Sequence, residues 1–248
     1  MSRYSLPGDR KRSPISAIFR VIVELVVIVI GIYIAFQVEN WNEKKKEVAL
    51  EKKYLEQLLE ETRMNQDELK ADQDARKTQL ALMKKLMATA NRPVAADTLR
   101  DAIDQLLMIR LYSPTDAVYQ DLTSSGNLGL IKSEAIKSKL LNYRRSLARV
   151  PLTEQSDLRF IQEQLEPYLL EKQVLSLLEP HEDLDEIDIS EKQVDQIIRV
   201  LLRDRRFLDL VYLRAHKIRD VIYFENPMEW LLRQMAEGIE KELATFEN

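Results

Sequence analysis

Residue types that could carry out chemistry are sparse in this chain of 248 residues. It has no cysteine and only two histidines, His181 and His216, which are far apart in the sequence. A thiolate nucleophile, a cysteine zinc site and a cysteine-held iron–sulfur cluster are therefore excluded, and neither histidine belongs to an HExxH motif. We predict no metal site and no cofactor.

Acidic residues gather in the stretch EPHEDLDEIDISE, residues 179–191. Hard cations prefer carboxylate oxygens, but this stretch lacks the glycine that an EF-hand loop requires. We interpret it as a solvated loop whose like charges repel. Ser124 and Ser125 precede Gly126 without a GxSxG pattern or an identifiable base, and there is no phosphate-binding glycine-rich loop. The sequence therefore predicts a protein that is not an enzyme.

The overall charge also restricts the class of partner. Lys and Arg number 37 and Asp and Glu number 41, so the formal net charge is −4. Proteins that bind nucleic acid normally carry a basic excess, so we predict no nucleic-acid partner. A composition of 45% hydrophobic and 31% charged residues with only five glycines favours a helical fold.

The longest apolar stretch is VIVELVVIVIGIYIAFQV, residues 21–38. As a helix it would span about 27 Å, which is close to the thickness of a bilayer core. We expect a single transmembrane helix, the core of an anchor at residues 15–40. The alternatives are a buried core helix and a cleaved signal peptide; the second is suggested because Arg10, Lys11 and Arg12 precede the stretch. The stretch is longer than a usual signal core, however, and no small-x-small cleavage site follows it.

Orientation is predicted from the flanking sequences. Four Lys or Arg residues precede the anchor of residues 15–40 and five follow it closely, so the count alone does not decide. Exporting the long C-terminal part is more plausible than exporting a short basic tail. We expect the protein to be anchored in a bacterial inner membrane. Residues 1–14 should be cytoplasmic, and the all-α domain of residues 41–248 should be periplasmic or extracellular.

Several residues of the anchor could pack against other helices. Glu24 lies inside the span, where a carboxylate needs a partner, and Arg20 is one helical turn earlier. The pair could form within the helix, or Glu24 could contact another chain. Gly31 and Ala35 form a small-xxx-small step that lets helices approach closely. Trp41 marks the far membrane interface.

Beyond the span, residues 43–90 predict one long helix, because they contain almost no helix breaker. A heptad seam through this helix is apolar at its ends and polar in the middle, which is too weak for an independent coiled coil. The seam consists of Leu55, Leu58, Thr62, Asn65, Leu69, Asp72, Arg76, Gln79, Met83 and Leu86.

Shorter helices are expected after residue 93, and together they predict an all-α fold with an antiparallel helical bundle. Capping signals and helical spacing place the starts of these helices at Asp97, Ser113, Ser133, Thr153, Ser190, Arg205 and Asn226. Pro167 is expected to kink the helix that Thr153 begins.

Two of the five glycines, Gly126 and Gly129, fall in one short turn. Left-handed backbone conformations would explain both glycines. The alternative is a ligand or peptide contact through the backbone amides of this turn, at Ser125, Gly126, Asn127 and Gly129.

Two stretches of the chain resemble an uncharacterised bacterial family, domain of unknown function family 6090. They are VELVVIVIGIYIAFQVENWNEKKKE, residues 23–47, and YQDLTSSGNLGLIKSEAIKSKLLNY, residues 119–143. The matching positions of the first motif are Glu24, Gly31, Gln37, Asn40, Trp41, Asn42 and Glu43. Val23 and Glu39 stand where the family usually has Gly and Asn. The resemblance implies a membrane-anchored helical protein without assigned chemistry.

Two functions remain open from the sequence. The first is a non-enzymatic accessory or scaffold subunit that contacts the lipid bilayer and packs on a membrane protein complex or on copies of itself as a homo-oligomer. The second is an extracytoplasmic sensor whose helical bundle binds a small ligand and signals through a partner.

Overall fold

The computed structural model describes residues 14–88, 96–174 and 191–247, and it leaves out the side chains of residues 14–21, 96–100, 191, 192, 194, 195 and 198. The described residues are almost entirely helical and include no strand, which confirms the all-α prediction. The α-helices are α1 (Pro14–Ala88), α2 (Ala96–Leu107), α3 (Ala117–Ser124), α4 (Glu134–Leu147), α5 (Val150–Phe160), α6 (Glu166–Glu171), α7 (Glu191–Arg203) and α8 (Arg205–Thr245). A 3₁₀ turn at Asn127–Leu130 and a π-helical turn at Ile161–Leu165 join some of them.

The chain divides into two compact units, Met1–Lys52 and Lys53–Asn248. We call them the N-terminal unit and the bundle unit. Of the described helices, one is long and apolar enough to cross a membrane: it contains an 18-residue window of mean hydropathy 2.2, and none of that window is buried.

The core of the bundle unit is built from apolar faces of its helices. In this unit α8 packs against α4, α5 and α7, and α2 packs against α7. The main cluster joins the C-terminal end of α1 to α2, α5, α6, α7 and α8. Its fully buried members include Met83, Leu106, Ile161, Leu165, Leu169, Val211 and Ile218.

Three predicted helix starts, at Ser113, Thr153 and Asn226, are wrong. Helix α3 begins at Ala117, four residues after Ser113, because residues 108–116 form an irregular segment whose backbone bonds to α1 side chains. Helix α5 begins at Val150 with Pro151 in its first turn, where a missing N–H costs nothing. Thr153 therefore lies inside α5, and its hydroxyl donates to the Val150 carbonyl at 2.8 Å.

Prolines interrupt the helices less than the sequence predicts. We expected a new helix at Asn226, but α8 continues through Pro227 to Thr245. The buried stripe of α8 continues on both sides of Pro227, so packing outweighs the lost backbone hydrogen bond. At Pro167 the chain passes through the π-helical turn and continues as α6.

The other predicted starts are close to those in the structure. Ser133 precedes α4, Arg205 begins α8, and Asp97 lies one residue inside α2. Ser190 lies outside the described residues, as do the basic tail and most of the acidic stretch at 179–191.

Candidate functional site

The N-terminal unit exposes a continuous apolar surface. Large apolar side chains from Ile22 to Val38 are between about half and two-thirds exposed; for example, Ile32 is 66% and Phe36 is 64% exposed. Monomeric soluble proteins rarely expose so large an apolar patch. A buried core helix would show the opposite pattern, so this reading of the stretch does not fit the structure.

The residues predicted to pack in the span share one helical face. At about 100° per residue, Glu24, Ala35 and Asn42 lie within about 40° of Gly31 around the helix axis. A Cβ atom added at Gly31 would meet nothing within 4 Å, and Ala35 and Asn42 line a shallow groove with Val38. The helix therefore presents one face on which two small residues, Gly31 and Ala35, lie close to the carboxylate of Glu24 and beside two valines, Val27 and Val38. We call it the Gly31 face.

Aromatic and charged groups mark the end of the apolar stretch. Trp41 is 58% exposed, and the Lys45 ammonium lies 3.6 Å from the centre of its ring, within the range of a cation–π contact. Glu24 is exposed. The side chain of Arg20 lies outside the described residues, so the Arg20–Glu24 pair stays a prediction.

The glycine turn after α3 follows the prediction at only one of its two glycines. Gly126 has φ +75°, a left-handed conformation, and follows directly after the C-cap residue Ser125. Gly129 lies in the 3₁₀ turn and does not have a positive φ, so the prediction of a left-handed residue there is wrong.

Side chains of this turn make intramolecular contacts. The Asn127 amide donates to the Tyr54 hydroxyl at 3.0 Å, and that hydroxyl donates to Asp121 at 2.9 Å. The Ser125 hydroxyl donates to the Asp121 carbonyl at 2.6 Å. The Asn127 bond joins the turn to α1, and the Ser125 bond closes the C-terminal end of α3, so both side chains have a structural role in the bundle unit.

The polar middle of the α1 seam is buried, which the sequence analysis did not anticipate. Thr62, Asn65, Arg76 and Gln79 are each at most 2% exposed. Asn65 holds the backbone of Thr115 with two hydrogen bonds, from its amide to the carbonyl at 2.8 Å and from the Thr115 N–H at 3.0 Å. Gln79 donates to the carbonyl of Met108 at 2.9 Å. These side chains therefore replace the secondary-structure bonds that residues 108–116 lack.

Arg76 is the centre of a buried charge cluster. Its guanidinium lies 2.8 Å from Asp72, 3.0 Å from Glu154 and 3.2 Å from Glu225, so side chains of α1, α5 and α8 meet there. A further bond joins Arg76 to the Arg110 carbonyl at 2.8 Å. We call Asp72, Arg76, Glu154 and Glu225 the Arg76 cluster. It places three carboxyl groups around one positive charge.

Glu225 is the member of the Arg76 cluster with the fewest partners. Its side chain is fully buried, and among the described atoms neither carboxyl oxygen makes a hydrogen bond of good geometry, although the Arg76 Nε lies 3.2 Å from one of them. Burial raises its pKa most; Arg76 lowers the pKa, and the charges of Asp72 and Glu154 raise it, to about 8. Burial also raises the pKa of Glu154, against the hydrogen bond from the Tyr112 N–H and the charge of Arg76.

A second buried arginine lies on α8. Arg214 is 1% exposed, pairs with Asp157 of α5, and donates to the carbonyls of Leu106 at 3.1 Å and Met108 at 2.8 Å. It therefore satisfies carbonyl groups at the C-terminal end of α2. Burial lowers the pKa of Arg214, and Asp157 opposes that shift.

Sequence reasoning did not identify the Arg76 cluster or Arg214. The one available signal was that Arg76, Gln79 and Asn65 occupy seam positions, where polar residues are unexpected unless they are paired. Among the described residues, no group of three or more His, Cys, Asp or Glu side chains has the arrangement of a metal site.

Comparisons with family models, curated proteins and solved structures find no match to this chain. The resemblance to domain of unknown function family 6090 therefore stays a prediction from the two motifs.

Proposed function

We propose that this protein is a single-pass membrane accessory or scaffold subunit whose helical bundle is tethered at the bilayer. The observation that supports this proposal most strongly is the apolar stretch of residues 22–38, which has no buried residue in its most hydropathic window. Lipid is the environment in which such a surface costs no free energy.

The Gly31 face is the proposed contact between this chain and another membrane helix. Small residues allow close backbone approach, and a carboxyl group in hydrocarbon gains from a partner that donates a hydrogen bond. Glu24, Gly31 and Ala35 supply these features on one face. Arg20 precedes them in the sequence, and Trp41 follows them at about 80° from Gly31 around the helix axis. Either a second copy or a different membrane protein fits this chemistry.

The proposed location is a bacterial inner membrane, with the N-terminus in the cytoplasm and the bundle unit outside it. The count of flanking Lys and Arg does not decide this orientation; the argument for it is that export of the long C-terminal part is more plausible than export of a short tail with four cations. The sequence contains no GxSxG, HExxH or phosphate-binding glycine-rich motif, and on this ground we propose an interaction role rather than an enzymatic one.

Mild detergent extraction followed by crosslinking and mass spectrometry tests the proposal. The full chain should be found in the membrane fraction. A second membrane protein, or a second copy of this chain, should be crosslinked to it in fixed proportion. A lone chain whose melting temperature rises with a small metabolite would favour the ligand sensor. A chain found in the soluble fraction would contradict the proposal.

A substitution on the Gly31 face makes the test specific. Gly31→Leu should lower recovery of the partner or copy, because the larger side chain separates the helices. Val29→Leu lies on the opposite side of the helix and serves as the control. Equal recovery with both variants would show that the Gly31 face is not the contact.

A further inference from the structure

The Arg76 cluster has more acidic groups than its single guanidinium can neutralise. With all three carboxyl groups ionised, its net charge would be −2 inside the bundle. Two carboxylates have hydrogen-bonding partners: Asp72 accepts from the Arg76 Nε at 2.8 Å, and Glu154 accepts from Arg76 and from the Tyr112 N–H at 2.9 Å. Glu225 lies 3.2 Å from the Arg76 Nε, which already donates to Asp72, and its oxygens make no hydrogen bond of good geometry. A buried carboxylate without hydrogen bonds of its own is far more costly than a neutral acid.

We propose that the Arg76 cluster is a proton-binding site, that Glu225 holds the proton, and that this proton is needed for full stability of the packing of α8 against α1 and α5. The proposal goes beyond the proposed function and does not depend on it, because every residue involved belongs to the bundle unit.

The groups that surround Glu225 come from three neighbouring parts of the bundle. Helix α1 contributes Asp72 and Arg76, α5 contributes Glu154, and the segment before α3 contributes Tyr112. From α4, the Tyr143 hydroxyl pairs with that of Tyr112 at 3.0 Å. Burial raises the pKa of both tyrosines, that of Tyr143 to about 12, so neither ionises near neutral pH.

The place of Glu225 in α8 makes its charge state matter for the helix. Pro227 follows two residues later inside α8 and has no N–H to donate to the carbonyl four residues earlier. This part of α8 therefore depends on packing more than the rest of the helix does. A negative charge at Glu225 acts where the backbone ladder is already one bond short.

The sign of the pH effect follows from the two states of Glu225. Its pKa is 4.5 in the ordinary, solvated state and about 8 in the folded chain. Between these values the folded chain holds one proton more than the unfolded chain, so stability falls as the pH rises. The effect is complete above about pH 8. One proton changes the unfolding equilibrium constant by about tenfold per pH unit.

Urea unfolding of the full chain in mild detergent at pH 5.5, 6.5 and 7.5 tests the proposal. Glu225→Gln keeps the shape of the neutral acid, so this variant should be more stable than the natural chain at pH 7.5. Between pH 5.5 and 7.5, the unfolding equilibrium constant of the natural chain should rise about ten times more per pH unit than that of Glu225→Gln. Glu229→Gln, at an exposed position of the same helix, should match the natural chain. A Glu225→Gln chain that fails to fold, or whose pH dependence parallels that of the natural chain, would overturn the proposal.

Infrared spectroscopy provides a measurement of the proton itself. At pH 6.5 the natural chain should show the carbonyl stretch of an un-ionised carboxylic acid that is absent from Glu225→Gln and retained in Glu229→Gln. Identical spectra for the natural chain and Glu225→Gln would show that Glu225 is ionised.

Discussion

Two stretches of the same helix, α1, have opposite relations between polarity and burial. Residues 22–38 are almost all apolar and exposed, whereas residues 62–79 include polar and charged side chains that are fully buried. The difference shows that polarity alone does not decide what a protein buries. Each stretch needs an environment that matches its chemistry. For the apolar stretch the proposed environment is lipid, and for the polar stretch it is backbone groups and charged side chains of the bundle.

The buried polar stretch has identifiable partners. Asn65 and Gln79 bond to the backbone of residues 108–116, Glu61 accepts from the Val118 N–H at 2.8 Å, and Arg76 lies among three carboxyl groups. A segment without regular secondary structure must bond its backbone groups elsewhere. Here α1 supplies those bonds.

The largest expected effect comes from placing charge in the apolar stretch. Val29→Lys combined with Ile32→Lys should abolish membrane association, since each lysine at the centre of a span costs about 3 kcal/mol. Membrane fractionation measures the result. Met64→Lys combined with Leu152→Lys adds the same charge at exposed bundle positions and should leave association intact. Membrane association retained with lysines at both span positions would contradict a transmembrane role.

Removing the central charge of the polar stretch should have the next largest effect. Arg76→Met leaves three carboxyl groups buried without their cation, so the free energy of unfolding should fall by about 3–5 kcal/mol near neutral pH. The loss should shrink as the pH falls, because the carboxyl groups become neutral. Urea unfolding measures both effects. Lys77→Met, at the exposed neighbour, is the control, and equal stability of the two variants would show that the cluster is not stabilising.

The sequence predicted the all-α class and the long helix but not the burial of the α1 seam. Leu55, Leu58, Met83 and Leu86 follow the heptad and are buried as such positions usually are. Asn65 bonds to Thr115, 50 residues away, and Arg76 bonds to the Arg110 carbonyl and to Glu154, 34 and 78 residues away. Local periodicity contains no information about such distant partners. The same holds for Pro227, where contacts of α8 with other helices outweigh a local stop signal.

A smaller effect is expected from Asn65→Ala. It leaves the N–H and carbonyl of Thr115 without their partners, which should lower the free energy of unfolding by about 1–3 kcal/mol. Asp67→Ala, two residues away at an exposed position, is the matched control. If both variants unfold at the same urea concentration, the Asn65 bonds do not stabilise the segment.

The smallest effect separates the two glycines of the turn. Gly126→Ala must adopt a left-handed conformation and should lose about 1–2 kcal/mol of stability. Gly129→Ala has room for its methyl group in the 3₁₀ turn and should be neutral or gain about 0.5 kcal/mol. Thermal unfolding of the two variants measures the difference. Equal losses would show that backbone conformation is not what requires glycine at 126.

The absence of cysteine from the natural sequence allows the location of the apolar stretch to be measured directly. A single cysteine is placed at Ile30 or at Asp67 and treated with a membrane-impermeant thiol reagent in intact membranes. Ile30→Cys should stay unlabelled until detergent is added, whereas Asp67→Cys should be labelled from the outer side. Rapid labelling of Ile30→Cys without detergent would show that this stretch is in water and would contradict the proposed membrane anchor.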